Sequence, residues 1–509
     1  MKPIIRLLLC LVLSVSSALR EAHAAEGARP NIVYILCDDL GYGDVHCLNP
    51  ERGKIATPRI DRLAAQGMTF TDAHSSSSVC TPSRYGILTG RYNWRSRLQA
   101  GVLEPYGKSL IARDRLTVPA LLKKNGYATA CIGKWHLGWE WPRDGKMLDF
   151  TRPILEGPTT RGFDTYFGTD VPNYPPYCFI ENDHTVGIPT EPLPAKLLGH
   201  NLASKGGPAL PGWKLEAILP AITDKACDFI RQQAKSGTAF FLYLPLTSPH
   251  TPLAVTEEWL GKSGLNRYAD YVMETDAMIG RVLDAVEQSG AAGNTLVILT
   301  SDNGCAPYIG VKDLEAKGHF PSAGLRGYKA DIFDGGHRIP FIVRWPERVK
   351  AGGHSGQTIC LTDLMATCAE ILGAKLPDNA GEDSVSILPA LLGTDQAPLR
   401  ESVVHHSING SFAIRQGHWK LELCADSGGW SDPKPGSKEA KGLPDTQLYD
   451  LTADLAESRN VYGEHPDVVA RMTKALEQII ADGRSTPGAK QSNDVAIQLR
   501  KPVTRAAGE

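Results

Sequence analysis

The chain has 509 residues, 42% of them hydrophobic and 22% charged, which exceeds one ordinary domain and excludes a disordered polymer. A formal net charge of -2 provides no overall field for holding a nucleic acid, so any anionic group must be gripped by local positive charges within a site.

Residues 1–24 carry Lys2 and Arg6, an apolar run from Leu7 to Val15, and Ala22-His23-Ala24 as a small-x-small cleavage site. This predicts a secretory signal peptide and a periplasmic or secreted mature protein. The apolar run is too short for a bilayer core of ~30 Å, so no stable membrane insertion is expected. Lipidation at Cys10 is the alternative, but Leu9 stands where a small residue would be needed.

From Asn31 to Cys37 the chain is continuously apolar and β-branched, as in a strand buried on both faces of a parallel sheet, and Asp38-Asp39 follow it. Thr57-Pro58 opens a helix, with Ile60, Leu63 and Ala64 on one face and Gly67 at its end. A serine run leads to Cys80-Thr81-Pro82-Ser83-Arg84, and Ser83 to Leu88 reads as a helix, which puts Cys80 near an anion-favouring N-terminus. Thr117 to Asn125 predicts a short helix, and Ala128 to Ile132 a strand followed by Lys134 and His136.

Residues 151–220 are rich in Pro and Gly and read as a long insertion over the site, with Gly206-Gly207-Pro208 as its mobile tip. Ala239 to Leu246 is a strand delivering His250, residues 267–289 a helix with Val272, Ile279, Val282 and Val286 inward, and Leu296 to Thr300 a strand ending at Asp302-Asn303. Phe341 to Trp345 is a further strand. Four strands thus end in polar residues, and the carboxyl ends of parallel strands are where α/β sheets bind ligands.

From about residue 396 the texture changes. Residues 401–407, 412–415 and 419–424 predict antiparallel strands, with Asn409-Gly410 as a hairpin turn, and residues 466–483 a helix followed by a frayed tail. The expected division is a leader over 1–24, a main domain over 25–395 and a smaller α+β subdomain over 396–509.

Cys80-Thr81-Pro82-Ser83-Arg84 with Leu88-Thr89-Gly90-Arg91 resembles the signature C-x-P-S-R-x-x-x-L-x-T-G-R of the formylglycine-dependent sulfatases. Leu325-Arg326-Gly327-Tyr328-Lys329 and Gly335-Gly336-His337-Arg338-Ile339-Pro340 also fit that family, and the texture is nearest the arylsulfatase A and N-acetylgalactosamine-sulfatase group. The resemblance implies an alkaline phosphatase-like α/β fold: a large mixed, mostly parallel sheet between helices, with a small antiparallel C-terminal subdomain. It implies that Cys80 is oxidised to formylglycine by a formylglycine-generating or anaerobic sulfatase-maturating enzyme. A Ca²⁺ ion, in preference to Mg²⁺, would be held by Asp38, Asp39, Asp302, Asn303 and the modified Cys80.

By the same resemblance Arg84 and His136 hold and activate the nucleophile, while Lys134, His250 and Lys329 contact sulfate, the last two nearest the leaving oxygen. Asn173, Asp183, His184, His405 and His406 are nominated for the sugar, with galactose and N-acetylgalactosamine as the candidates. Each residue alone has a structural explanation, since Asp-Asp-x-Gly suits a turn and a histidine a hydrogen-bonded core position. The joint match from Asp38 to Lys329 favours chemistry. Two alternatives stay open: a phosphomonoesterase or phosphodiesterase of the same superfamily, and a silent glycan-binding protein with Cys80 unmodified. Conversion of Cys80 and removal of Cys10 leave an odd number of the 11 cysteines, so complete pairing is excluded and most should be buried thiols.

Overall fold

The computed structural model describes residues 29–198 and 204–500. The predicted leader lies outside them.

Ten strands form one sheet, in the order Gly353–Ser355, Met68–Phe70, Phe341–Arg344, Thr295–Ser301, Asn31–Cys37, Phe240–Pro245, Ala128–Lys134, Thr165–Thr169, Ile180–Glu181, His184–Thr185. The run from Thr295–Ser301 to Thr165–Thr169 is parallel throughout. Strand Phe341–Arg344 is antiparallel to its neighbours. Alternation along Asn31–Cys37 divides the core: Ile32, Tyr34 and Leu36 pack on one side, Val33, Ile35 and Cys37 on the other. Helices Cys80–Thr89, Val118–Lys124 and Leu364–Ile371 cover the first face, and Pro58–Ala65, Ile218–Ser236 and Arg267–Gln288 the second. Each fully buried Leu, Ile or Val there contributes about 1.5–3 kcal/mol of transfer free energy.

A four-stranded antiparallel sheet follows, Val403–His406, Phe412–Gln416, Trp419–Glu422 and Gln447–Asp450, against helix Pro466–Asp482. Gly410 has φ 88°, as its turn requires. The tail expected to fray instead packs back as far as residue 500: Arg91 Nη2 binds Asp494 at 3.0 Å and Arg95 Nη1 binds Asn493 at 2.9 Å. The described part of the insertion is also more ordered than expected. It contains the sheet strand Thr165–Thr169, and Gly207 and Pro208 of the expected mobile tip lie in strand Gly207–Ala209, which pairs with Glu191–Leu193. All ten described cysteines are free thiols, eight of them buried. No described helix is long and apolar enough to cross a membrane.

Gly133 fixes how Lys134 leaves its strand. Its φ is 136°, and a Cβ there would lie 1.9 Å from the Pro245 carbonyl oxygen of the neighbouring strand. Gly133→Ala should therefore lower stability by on the order of 3 kcal/mol. Thermal unfolding checks this, and an unchanged midpoint would count against the close packing of these strands.

Candidate active site

Four strand ends converge. Asn31–Cys37 delivers Asp38 and Asp39, Ala128–Lys134 ends at Lys134 with His136 beyond, Phe240–Pro245 leads to His250, and Thr295–Ser301 to Asp302 and Asn303. Cys80 is the first residue of helix Cys80–Thr89 and is 3% exposed. That helix aims its unpaired N–H groups toward any anion held at Cys80.

The charges are paired with little access to water. Lys134 Nζ donates to Asp38 Oδ2 at 2.7 Å, and Lys329 Nζ to Asp39 Oδ2 at 2.8 Å. Arg84 forks onto Asp302 Oδ2 through Nε at 3.0 Å and Nη2 at 2.8 Å, and its Nη1 donates to the Lys134 carbonyl. Asn303 Nδ2 donates to Asp39 Oδ1 at 2.7 Å. Two buried oxygens, Asp38 Oδ1 and Asn303 Oδ1, have no hydrogen-bond partner. Unsatisfied buried oxygens are costly, and a hard divalent cation is the species that oxygen donors of this kind take up. Asp38, Asp39 and His250 each present a ligand atom within 4.8 Å of the others. The donor set therefore fits such a cation, and its carboxylates and carboxamide favour Ca²⁺ or Mg²⁺ over a softer metal.

Proton occupancy follows from burial and these neighbours. Burial pushes the Asp302 carboxyl up to about 7, with Asp38 adding to the effect against Arg84. For Asp38 burial works the same way, but Lys134, His250, Arg84 and Lys329 together outweigh it and hold that carboxyl well below its usual range. Burial opposes the Lys329 ammonium, yet Asp39 keeps it charged far above neutrality. His250 is held down to about 4, by burial first, and its Nδ1 donates to the Thr251 carbonyl. Burial raises the Cys80 thiol while Lys134 and Lys329 pull it back.

His136 donates from Nε2 to the Leu103 carbonyl at 3.0 Å, which leaves Nδ1 as the bare nitrogen, buried and without a partner. Burial, then Lys134, hold this imidazole neutral. It is poised to accept a proton.

A family model described as Sulfatase matches residues 30–374. The chain belongs to the sulfatase family. This sulfatase is 34% identical over 523 residues to an N-acetylgalactosamine-6-O-sulfatase of Bacteroides thetaiotaomicron, covering 94% of this chain and 99% of that protein. It is 31% identical to human arylsulfatase A, covering 92% and 89%. A solved structure from work on glycosaminoglycan metabolism by Bacteroides thetaiotaomicron superposes with TM-score 0.77 at 35% identity, covering 89% of this sulfatase and 99% of that chain.

The structure gathers Cys80, Arg84, Lys134, His136, His250, Lys329, Asp38, Asp39, Asp302 and Asn303 into this one centre. Asn173 borders it: the next residue, Tyr174, sets its ring edge-on to His136 at 6.0 Å. The other nominations go elsewhere. His184 is exposed, Asp183 is half-buried, and the two are hydrogen-bonded to each other at 2.7 Å. Strand Ile180–Glu181 runs antiparallel to Thr165–Thr169 and carries them toward that strand's amino end, away from Cys80. His405 and His406 are 0% and 1% exposed and sit in the core rather than on a sugar-binding surface. The His406 carbonyl instead accepts from Ser77 Oγ at 2.9 Å and Ser78 N at 3.1 Å, bracing the segment that leads to Cys80.

One residue of the centre escaped the sequence. Asp170 follows strand Thr165–Thr169 and accepts the His136 backbone N–H at 3.1 Å, holding that residue at φ 52°. The strand-end rule finds Asp170 only once that strand is recognised.

Proposed function

We propose that this sulfatase removes sulfate from sulfated carbohydrates, with the 6-O-sulfate of N-acetylgalactosamine or galactose as the preferred ester. The arrangement of Cys80 at a helix start, facing Lys134 and Lys329 between Asp38 and Asp302, carries this reading. The names of the near-full-length relatives support the sugar.

Oxidised to formylglycine by a maturating enzyme, position 80 would offer a hydrated aldehyde whose hydroxyl attacks sulfur and whose later collapse to aldehyde expels sulfate. A divalent cation, Ca²⁺ by preference, held by Asp38, Asp39, Asp302 and Asn303 would supply positive charge for that hydroxyl and for a sulfate oxygen. Arg84 anchors the helix start and Asp302 together, so nucleophile and carboxylates keep one geometry. Lys134 and Lys329 meet the charge on the sulfate oxygens. Lys329 also holds a proton at neutral pH and can give it to the departing sugar oxygen, whereas His250 is neutral there and orients the ester. His136, with Nδ1 bare, takes the proton released when the aldehyde reforms.

The leader over residues 1–24 would export the chain to the periplasm or beyond, where sulfated glycans are met. The test is sulfate release by mature protein from galactose and N-acetylgalactosamine sulfated at O6 or O4, beside the matching phosphate esters. The O6 esters should be cleaved fastest. Faster cleavage of phosphate would overturn the reading.

Removing divalent ions with a chelator should lower the rate about a hundredfold or more, because several kcal/mol of transition-state stabilisation are lost. Added Ca²⁺ should restore it. A rate indifferent to chelator would contradict the oxygen-ligand site.

A further inference from the structure

Three histidines from distant parts of the chain meet outside the carboxylate centre. His74 ends the short strand Ala73–His74, His337 ends helix Asp334–His337, and His405 lies in Val403–His406. They are 0%, 1% and 0% exposed, and one ring nitrogen of each lies within 4.8 Å of the others.

Their outer partners fix the tautomers. His74 Nε2 meets Asp72 Oδ1 at 2.9 Å, His337 Nε2 meets the Ile332 carbonyl at 3.0 Å, and His405 Nδ1 meets the Ser75 carbonyl at 3.2 Å. Each partner can only accept, so each imidazole places its N–H there. Arg415 Nη1 also approaches His74 Nε2, at 3.1 Å, but the carboxylate is nearer. Burial favours neutral rings, so the other nitrogen of each is a bare lone pair.

These bare nitrogens face inward. His74 Nδ1 and His337 Nδ1 are 3.0 Å apart, and His405 Nε2 is buried with no hydrogen-bond partner. Lone pairs so close repel unless a positive species lies between them, and an unpartnered buried acceptor adds a further cost. An imidazole that donates outward to a carboxylate or carbonyl and turns its second nitrogen inward is the arrangement that orients metal-binding histidines. Nitrogens sharing one tetrahedral zinc, with bonds of ~2.0–2.1 Å, lie about 3.4 Å apart, near the separation of the first two. The His337 and His405 rings are stacked at 3.8 Å with 11° between their planes, so His405 must turn its ring out of the stack to bring Nε2 onto an ion shared with His337. Asp72 and Asp334 offset the charges of Arg338, Arg415 and Lys420 around it.

We propose that His74, His337 and His405 bind a borderline-soft divalent metal, zinc by preference, as a structural clamp. The clamp would join the segment leading to Cys80, the turn after Lys329 and the C-terminal sheet. Its all-nitrogen donor set separates it chemically from the oxygen-rich centre, which suits Ca²⁺ or Mg²⁺.

The test is the metal content of full-length protein produced with zinc and dialysed against metal-free buffer, repeated on protein produced with cobalt and read by visible absorption. Wild type and Asp302→Asn, which alters only the oxygen-rich site, should each retain about one zinc or cobalt per chain. His405→Gln should lose the metal, and His405→Cys should keep it with a thiolate-shifted cobalt spectrum. Should His405→Gln not fold, the wild-type content and the cysteine spectrum still decide. Wild-type protein free of transition metal, as with three histidines sharing a proton, would overturn the proposal. So would metal retained equally by His405→Gln, or metal lost in Asp302→Asn alone.

Discussion

Cys80→Ala should abolish sulfate ester hydrolysis, with kcat falling by about a millionfold, the scale on which a covalent nucleophile is lost. Cys80→Ser should behave nearly the same, because a serine hydroxyl could attack but could not collapse to an aldehyde and so would retain the sulfate. Neither change should prevent folding: Cys80 is a small buried side chain, and helix Cys80–Thr89 keeps Tyr85, Ile87 and Leu88 in the core. Single-turnover assays with a cooperative unfolding transition as control check both variants. Steady turnover by Cys80→Ala would mean that another group attacks sulfur.

Lys329→Met should lower kcat by about a thousandfold on a sugar sulfate. The change removes a charge beside the sulfate, a loss of ~10²–10³ for one such donor, and a proton source for the leaving group. Two contacts with Asp39 carboxylate oxygens, at 2.7 and 2.8 Å, would fit Lys329 to both proposed tasks. On an aryl sulfate, whose phenolate leaves without help, the loss should be smaller, and the ratio of the two losses measures the proton-donor share. An equal loss on both substrates would confine Lys329 to charge stabilisation.

Much of this centre was legible because each strand carrying it is a continuous apolar run that stops at a polar residue. Asn31–Cys37 before Asp38 and Thr295–Ser301 before Asp302 are buried on both faces, so their composition alone announces them. Thr165–Thr169 was not legible, since Thr165 is exposed and Gly168 interrupts the run, and Asp170 was lost with it. Helix Ile218–Ser236 was hidden behind the Pro-rich segment preceding it.

Four of the five sugar-binding nominations lie away from the centre for a different reason. Residue type reveals that a histidine can bind something, but not which way the chain carries it. One antiparallel reversal sends His184 to the far end of the sheet, and pairing with Phe412–Gln416 buries His405. The tail after Asp482 is polar in composition, yet the buried guanidinium groups of Arg91 and Arg95 draw it down.

The most direct measurement is peptide mass spectrometry of protein purified from its native source and shown to release sulfate. The tryptic peptide containing residue 80 should be ~18 Da lighter than its cysteine form, as conversion to formylglycine requires. Active protein in which that peptide carries an unmodified Cys80 thiol would contradict the nucleophile assigned here.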